Sequence, residues 1–270
     1  MGGRCPRGAI PHHHMPNFAA NLTLLFTELP LLERFDAARQ AGFTAVELLI
    51  PYDAPAPDLA HALKNANLHL ALINTPAPNW AAGDRGLAAL PDLQQEFQTS
   101  FETALHYAAQ LNPDHIHIMA GLAKGPTAHA TFVQNLRWAT QRAPNHSLLI
   151  EPINPIDLPG YFLNDFDQAA AILDTIDAPN LALQFDAYHA HKITGDMPAT
   201  WAKHGHRARH IQVASAEGRH EPSKGAIDYQ AFFAQLDAQG YAGHVSGEYF
   251  PAARTEDGLD WIKSPAPKPS

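Results

Sequence analysis

Cysteine is nearly absent. Cys5 is the only thiol in 270 residues, so no disulfide can staple the chain, and a reducing, cytoplasmic setting is expected. Lysine and arginine form no run, and the formal net charge is −9. Nucleic acid is therefore not an expected partner, because neutralising phosphates takes grouped basic side chains. An anionic substrate stays open, since one or two Arg or His residues around a metal can reverse the field locally. No apolar run approaches the roughly 18 residues of a membrane span, so a membrane is not expected as a partner either. Met1 to His14 lacks the apolar centre of a secretory signal and ends in His12, His13 and His14. That stretch reads as a disordered extension outside the fold. The whole chain is 46% hydrophobic and 17% charged, ample for a packed core and unlike a disordered chain.

From Phe18 onward, short aliphatic or β-branched runs alternate with longer amphipathic stretches. Strands are expected at Phe18–Leu25, Thr44–Ile50, Leu68–Ile73, His115–Met119, Leu148–Glu151, Leu181–Phe185, His210–Val213 and His244–Glu248. Helical patterns separate them, among them one opened by Pro30 and closed near Gly42, and others over Pro91–Leu111 and Thr127–Arg142. A short helix over Thr255–Ile262 follows the last strand, and Lys263–Ser270 is expected to fray. Eight strand–helix units with nearly continuous apolar strands favour a closed parallel (β/α)₈ barrel spanning residues 15–262 over an open sheet. No Gly-x-Gly-x-x-Gly follows the first strand, which counts against a dinucleotide-binding fold.

A barrel gathers its chemistry at the C-terminal ends of its strands. Those ends carry Glu47, Asn74, Glu151, Asp186, Gln212 and Glu248, and the last four terminate strands five to eight, one each. Their separations of 35, 26 and 36 residues each approximate one β/α unit. Singly, each is explained as a solvated strand end; Asp186 suits a helix cap, and Glu151 a partner for Arg or Lys. Together, three converging carboxylates would repel one another and be partly protonated without a cation. An all-oxygen donor set suits Mg²⁺ or Mn²⁺ better than Zn²⁺, which prefers Cys and His.

Several stretches, among them Asn74-Thr-Pro-Ala-Pro-Asn-Trp-Ala-Ala-Gly83, Ile150-Glu-Pro-Ile-Asn154, Leu183-Gln-Phe-Asp-Ala-Tyr-His189, Gly218-Arg-His-Glu-Pro222 and Gly247-Glu-Tyr-Phe-Pro251, resemble the hydroxypyruvate isomerase family. That family, which includes 2-oxotetronate isomerases, lies within the xylose-isomerase-like barrels, and the likeness runs from Met15 to Ile262. It implies a metal-dependent isomerase of a small anionic sugar acid, working through a cis-enediolate. Glu151, Asp186, Gln212 and Glu248 are then the metal ligands, and Glu151 and Glu248 the proton-transferring pair. It also implies that His189 contacts a substrate oxygen. Arg219, with its planar donor fork, is the candidate for a substrate carboxylate. His220 shares that loop, and Glu47 is expected either to bond substrate or to orient His or Arg partners. Trp80, in the long loop after strand three, is equally suited to shielding the site and to packing, whereas Lys124 reads as a surface residue. Of His115 and His117, two apart on strand four, His117 is expected nearer the mouth. The competing readings are a ketose 3-epimerase, an endonuclease IV-like metal nuclease and a non-catalytic sugar-acid sensor; a homo-oligomer stays open.

Overall fold

The structure is a computed structural model and describes residues 15–223 and 225–263. The expected N-terminal extension, with Cys5 and the His triplet, and the tail beyond Lys263 lie outside the described residues.

Eight parallel strands close into a barrel in sequence order. They are β1 (Asn17–Asn21), β2 (Ala45–Leu48), β3 (His69–Asn74), β4 (His115–His117), β5 (Ser147–Ile150), β6 (Leu181–Asp186), β7 (Ala208–Val213) and β8 (His244–Gly247). The helices between them are α1 (Arg34–Gln40), α2 (Ala56–Ala66), α3 (Gln94–Leu111), α4 (Gly125–Arg142), α5 (Phe166–Ile176), α6 (Ala187–Thr194), α7 (Met197–His204) and α8 (Tyr229–Ala238). A 3₁₀ segment, Thr255–Ile262, completes the ring after β8. Among the described residues no helix is long and apolar enough to cross a membrane.

Successive side chains of a strand point to opposite faces, here the helices and the barrel axis. Outward residues such as Val46, Ile116, Leu148, Leu183, Phe185 and Val245 join helix residues such as Phe101, Phe132 and Trp201 in one continuous core. Inward, apolar packing shrinks to two small clusters, Ala19 with Ala45 and Ala71, and Leu72 with Leu149 and Ala182. The rest of the axis is polar: Asn21, Glu47, His117, Gln184, His210 and Gln212 are at most 1% exposed. A barrel usually fills this space with bulky branched residues. Burying so many polar groups is tolerable only where each finds partners, which ties this fold to one hydrogen-bonding arrangement.

Two strand pairings shift register, β2–β3 between Val46 and Glu47 and β6–β7 between Leu183 and Gln184. The extra residue of each bulge lies on the partner strand, Ala71 on β3 and Arg209 on β7, and a bulge re-aims the side chains beside it. At the mouth, the loops after β3 and β4 cross in close contact. Gly86 and Gly121 have φ of +99° and +93°, and a Cβ on Gly86 would lie 2.2 Å from the Met119 carbonyl oxygen, so both positions require glycine.

Strand one is shorter than its sequence suggests. Asn21 turns the chain: its Oδ1 accepts from the Thr23 amide at 3.0 Å and its carbonyl from the Leu25 amide at 2.8 Å. Between β6 and β7 the chain forms two helices, because Gly195 closes α6 in the left-handed region (φ +76°) and Asp196 caps α7 afresh.

Candidate active site

Glu151 follows β5, Asp186 ends β6, Gln212 lies one residue before the end of β7 and Glu248 follows β8. All four are buried, and they lie together: Gln184 bonds both Glu151 and Gln212, and Arg219 stands within 3.8 Å of both Asp186 and Glu248. Asp186 is the helix cap considered for it. Its Oδ1 caps α6, accepting from the Tyr188 amide at 2.7 Å and the His189 amide at 3.2 Å. Its Oδ2 is buried with no hydrogen-bond partner among the described residues.

Arg219 projects into this group rather than into solvent. Its guanidinium donates to Glu248 Oε1 at 2.6 Å, stands 3.8 Å from Asp186 Oδ2 and lies over the Tyr188 ring at 5.1 Å. Burial pushes the Glu248 carboxyl up to about 8 despite the opposing pull of Arg219. Burial likewise raises Glu151, helped by the neighbouring charges of Glu248 and Asp186. Asp186 is raised by burial against the pull of Arg219 and of its two backbone donors. With all three carboxyls ionised against one guanidinium the excess would be two negative charges, the charge a divalent cation carries. The free Oδ2 of Asp186 and the hard oxygen donors of the other three side chains fit such an ion.

Glu151, Asp186 and His189 each bring one potential ligand atom within 4.8 Å of the others. The hydrogen bonds around His189 nevertheless make it a donor and not a ligand. Asn154 Oδ1 accepts from the Ile156 and Asp157 amides at 3.1 and 2.9 Å, so its Nδ2 must face His189 Nδ1, 2.7 Å away. A ring whose Nδ1 accepts carries its proton on Nε2. Burial and the Arg219 charge hold this imidazole well below its usual pKa, hence neutral. Its Nε2–H stands 3.6 Å from Asp186 Oδ2 and 3.9 Å from Glu151 Oε1, aimed into the space between them.

The remaining expected residues divide. Glu47 is completely buried, and protein donors occupy both its oxygens: Asn21 and Gln212 at 2.8 Å each, His210 at 2.7 Å. These are the bonds of an orienting group. His220 turns away from the carboxylates; its exposed ring folds over Gly218 and meets the Phe250 carbonyl oxygen at 2.8 Å. His117 stands 3.7 Å from Glu151 Oε2 and 3.2 Å from Asn74 Oδ1, while His115 lies farther down the strand beside Ser147. Trp80 is half-buried beneath the Arg85 guanidinium, 3.9 Å from the ring centre. Sequence reasoning missed Gln184, which donates to Glu151 Oε2 at 2.9 Å and Gln212 Oε1 at 2.6 Å. The signal was there: Gln184 precedes Asp186 by two and shares its face of β6.

Residues 35–264 match the family model described as xylose isomerase-like TIM barrel. A 2-oxo-tetronate isomerase of Cupriavidus necator is 42% identical over 255 residues, 92% of this chain and 98% of that protein. A hydroxypyruvate isomerase of Escherichia coli is 38% identical over 92% of this chain and 98% of its own length. Among solved structures, one described as an AP endonuclease, family 2, from Brucella melitensis superposes with a TM-score of 0.89 at 42% identity, covering 92% of this chain and 98% of that one. The chain belongs to the xylose isomerase-like TIM barrel family and, within it, to the group of 2-oxo-tetronate and hydroxypyruvate isomerases.

Proposed function

We propose that this protein is a divalent-metal-dependent isomerase of a small sugar acid. It converts hydroxypyruvate to tartronate semialdehyde, or 2-oxotetronate to 3-oxotetronate, through a cis-enediolate. The observation that carries the metal requirement is the burial of three carboxyl groups, Glu151, Asp186 and Glu248, around a single guanidinium, with Asp186 Oδ2 left without a donor among the described residues. Glu151, Asp186, Gln212 and Glu248 would hold Mg²⁺ or Mn²⁺. The ion supplies Lewis-acid stabilisation of the charge that develops on two neighbouring substrate oxygens.

The chain's own residues do the rest. In an aldose–ketose conversion the C–H bond of the hydroxyl-bearing carbon breaks, its electrons form the enediolate, and a proton returns to the adjacent carbon while the hydroxyl proton moves to the former carbonyl oxygen. Glu151 is placed to take the first proton, because its Oε2 is tied to Gln184 while Oε1 accepts no hydrogen bond among the described residues. Glu248, across the cluster, delivers its own proton to the adjacent carbon, and exchange with solvent restores both carboxyls between turnovers. A raised pKa suits both, since a carboxyl titrating nearer neutrality both accepts and donates protons efficiently. His189 Nε2–H donates to a substrate oxygen that becomes negative, and Arg219 attracts the substrate carboxylate. An inward-facing Arg219 favours an anionic substrate over the neutral ketose of an epimerase. For a nuclease, no grouped basic residues offer a phosphate path, and His189, whose Nδ1 accepts from Asn154, is a donor and not a ligand.

The test is to add Mg²⁺ or Mn²⁺ and follow each of the two substrates in D₂O. Turnover of one, with solvent deuterium at the carbon that gains a proton, is expected. Glu151→Gln and Glu248→Gln should each lower kcat by about 10²- to 10⁴-fold. At a hundredfold excess over Kd the ion should add about 2.7 kcal/mol to stability. No turnover of either substrate with either ion would sink the assignment.

A further inference from the structure

A line of side chains crosses the barrel axis from β2 to β5, and the proton transfer itself uses only its last member. It begins at Glu47, an acceptor for Asn21, His210 and Gln212. A carboxylate offers only acceptors, so the Gln212 amide must present its nitrogen to Glu47 and turn its oxygen towards β6. There Gln212 Oε1 and Glu151 Oε2 face the same end of Gln184, and both are acceptors. Gln184 can satisfy them only with its Nε2, whose two hydrogens reach them at 2.6 and 2.9 Å. Gln184 Oε1 is left buried without a partner. Reversing that amide would rescue its oxygen from isolation only by setting it against two other acceptors. The polarity chosen at Glu47 therefore propagates through two amides in series and ends on one oxygen of Glu151.

We propose that Glu47, Gln212 and Gln184 are a positioning relay for Glu151: the Glu47 carboxylate sets the direction of both amides, and the final N–H pins Glu151 Oε2 so that Oε1 faces His189 and the substrate. The relay rests on the isomerase reading for its consequence in rate, but not for its effect on geometry. Misplacing a reacting group by about 1 Å costs on the order of a hundredfold in rate, whereas substrate contacts at Arg219 and His189 are untouched. The relay therefore acts on kcat and spares KM.

The experiment is a double-mutant cycle with Glu47→Gln and Gln184→Met, read as kcat and KM with saturating Mn²⁺, and as Mn²⁺ affinity by calorimetry. Each single variant should lose about 10- to 100-fold in kcat, with KM changed by no more than about threefold. Because one residue acts through the other, the double variant should fall within about twofold of the worse single variant. Glu47→Gln should also weaken Mn²⁺ binding by about tenfold, since Gln212 loses its fixed orientation. Losses that multiply in the double variant would overturn the relay, as would lower melting temperatures with kcat unchanged. If the wild type turns over neither substrate, the isomerase reading fails by itself. The relay is then judged on the crystal structure of the Gln184→Met variant, where a Glu151 carboxylate still in its present orientation refutes it.

Discussion

Arg219 adopts φ of +54°, a left-handed conformation that non-glycine residues rarely take, directly after Gly218 at +74°. Such a backbone costs an L-residue about 1–2 kcal/mol, and here it delivers a guanidinium to Glu248 and Asp186 with its plane over Tyr188. A lysine would keep the charge but not the planar fork or the stacking. Charged hydrogen bonds are worth about 1.5–3 kcal/mol, so Arg219→Lys should raise KM for a carboxylated substrate about ten- to a hundredfold and lower kcat less. Steady-state kinetics on whichever sugar acid the wild type accepts decides it; an unchanged KM would remove Arg219 from carboxylate binding. His220, its neighbour in sequence, should tolerate replacement by Gln far better, since its ring leaves the site.

At the level of elements, four helices open on an aspartate, and one of them differs in kind. Asp165, Asp196 and Asp228 each accept from the amide three residues on, at 2.7, 2.9 and 3.0 Å. Losing such a cap costs about 1 kcal/mol. Asp165→Ala should therefore lower the urea midpoint modestly while leaving kcat intact. Asp186 caps α6 with one oxygen and turns the other into the site, so its two duties separate in variants. Asp186→Asn should keep most of the cap and stability yet lose activity, whereas Asp186→Ala should lose both. If the Asn variant is as unstable as the Ala variant, the cap is not what Oδ1 provides. The same doubling explains what was legible beforehand. The strand–helix alternation and the four strand ends could be read from apolar periodicity and spacing, because those follow from which faces are buried. The turn at Asn21 and the break at Gly195 depend on side chain-to-backbone bonds and a left-handed residue inside otherwise continuous patterns, so periodicity runs through them. Gln184 went unnoticed because a single amide in an apolar strand carries no charge signal; only its two-residue offset from Asp186 marks it.

At the scale of the whole molecule, the two ends of the barrel hold charge differently. The mouth buries an excess of carboxyl groups whose pKa burial raises, whereas the opposite end is tied by Asp114, which sits 2.6 Å from His69 and 3.3 Å from His244. Partial burial alone would raise the Asp114 carboxyl, but hydrogen bonds from both histidines prevail and hold it at about 2. A depressed carboxyl contributes stability above its unfolded value near 4 and loses it as pH falls through about 2. His115 nearby is pushed down to about 3 by burial and by His210. The unfolded chain takes up that proton near 6.5, so this histidine erodes stability as pH falls from 6.5 to about 3. Urea midpoints followed by circular dichroism should therefore decline on acidification in two overlapping stages. Asp114→Asn should flatten the stage between pH 4 and 2, and His115→Gln the earlier one; an unaltered profile in either variant would show that its group is not responsible. Around the mouth, the loops following β7 and β8 are buttoned together. The Phe250 amide donates to the Arg219 carbonyl at 2.9 Å, the Phe250 carbonyl meets the His220 ring, and the Ala252 amide donates to Glu221 at 3.0 Å. For anyone transplanting substrate preference between relatives, these two segments form a single cassette. Grafted together they carry their own fasteners, whereas either one grafted alone arrives with its mating half missing and Arg219 unmoored.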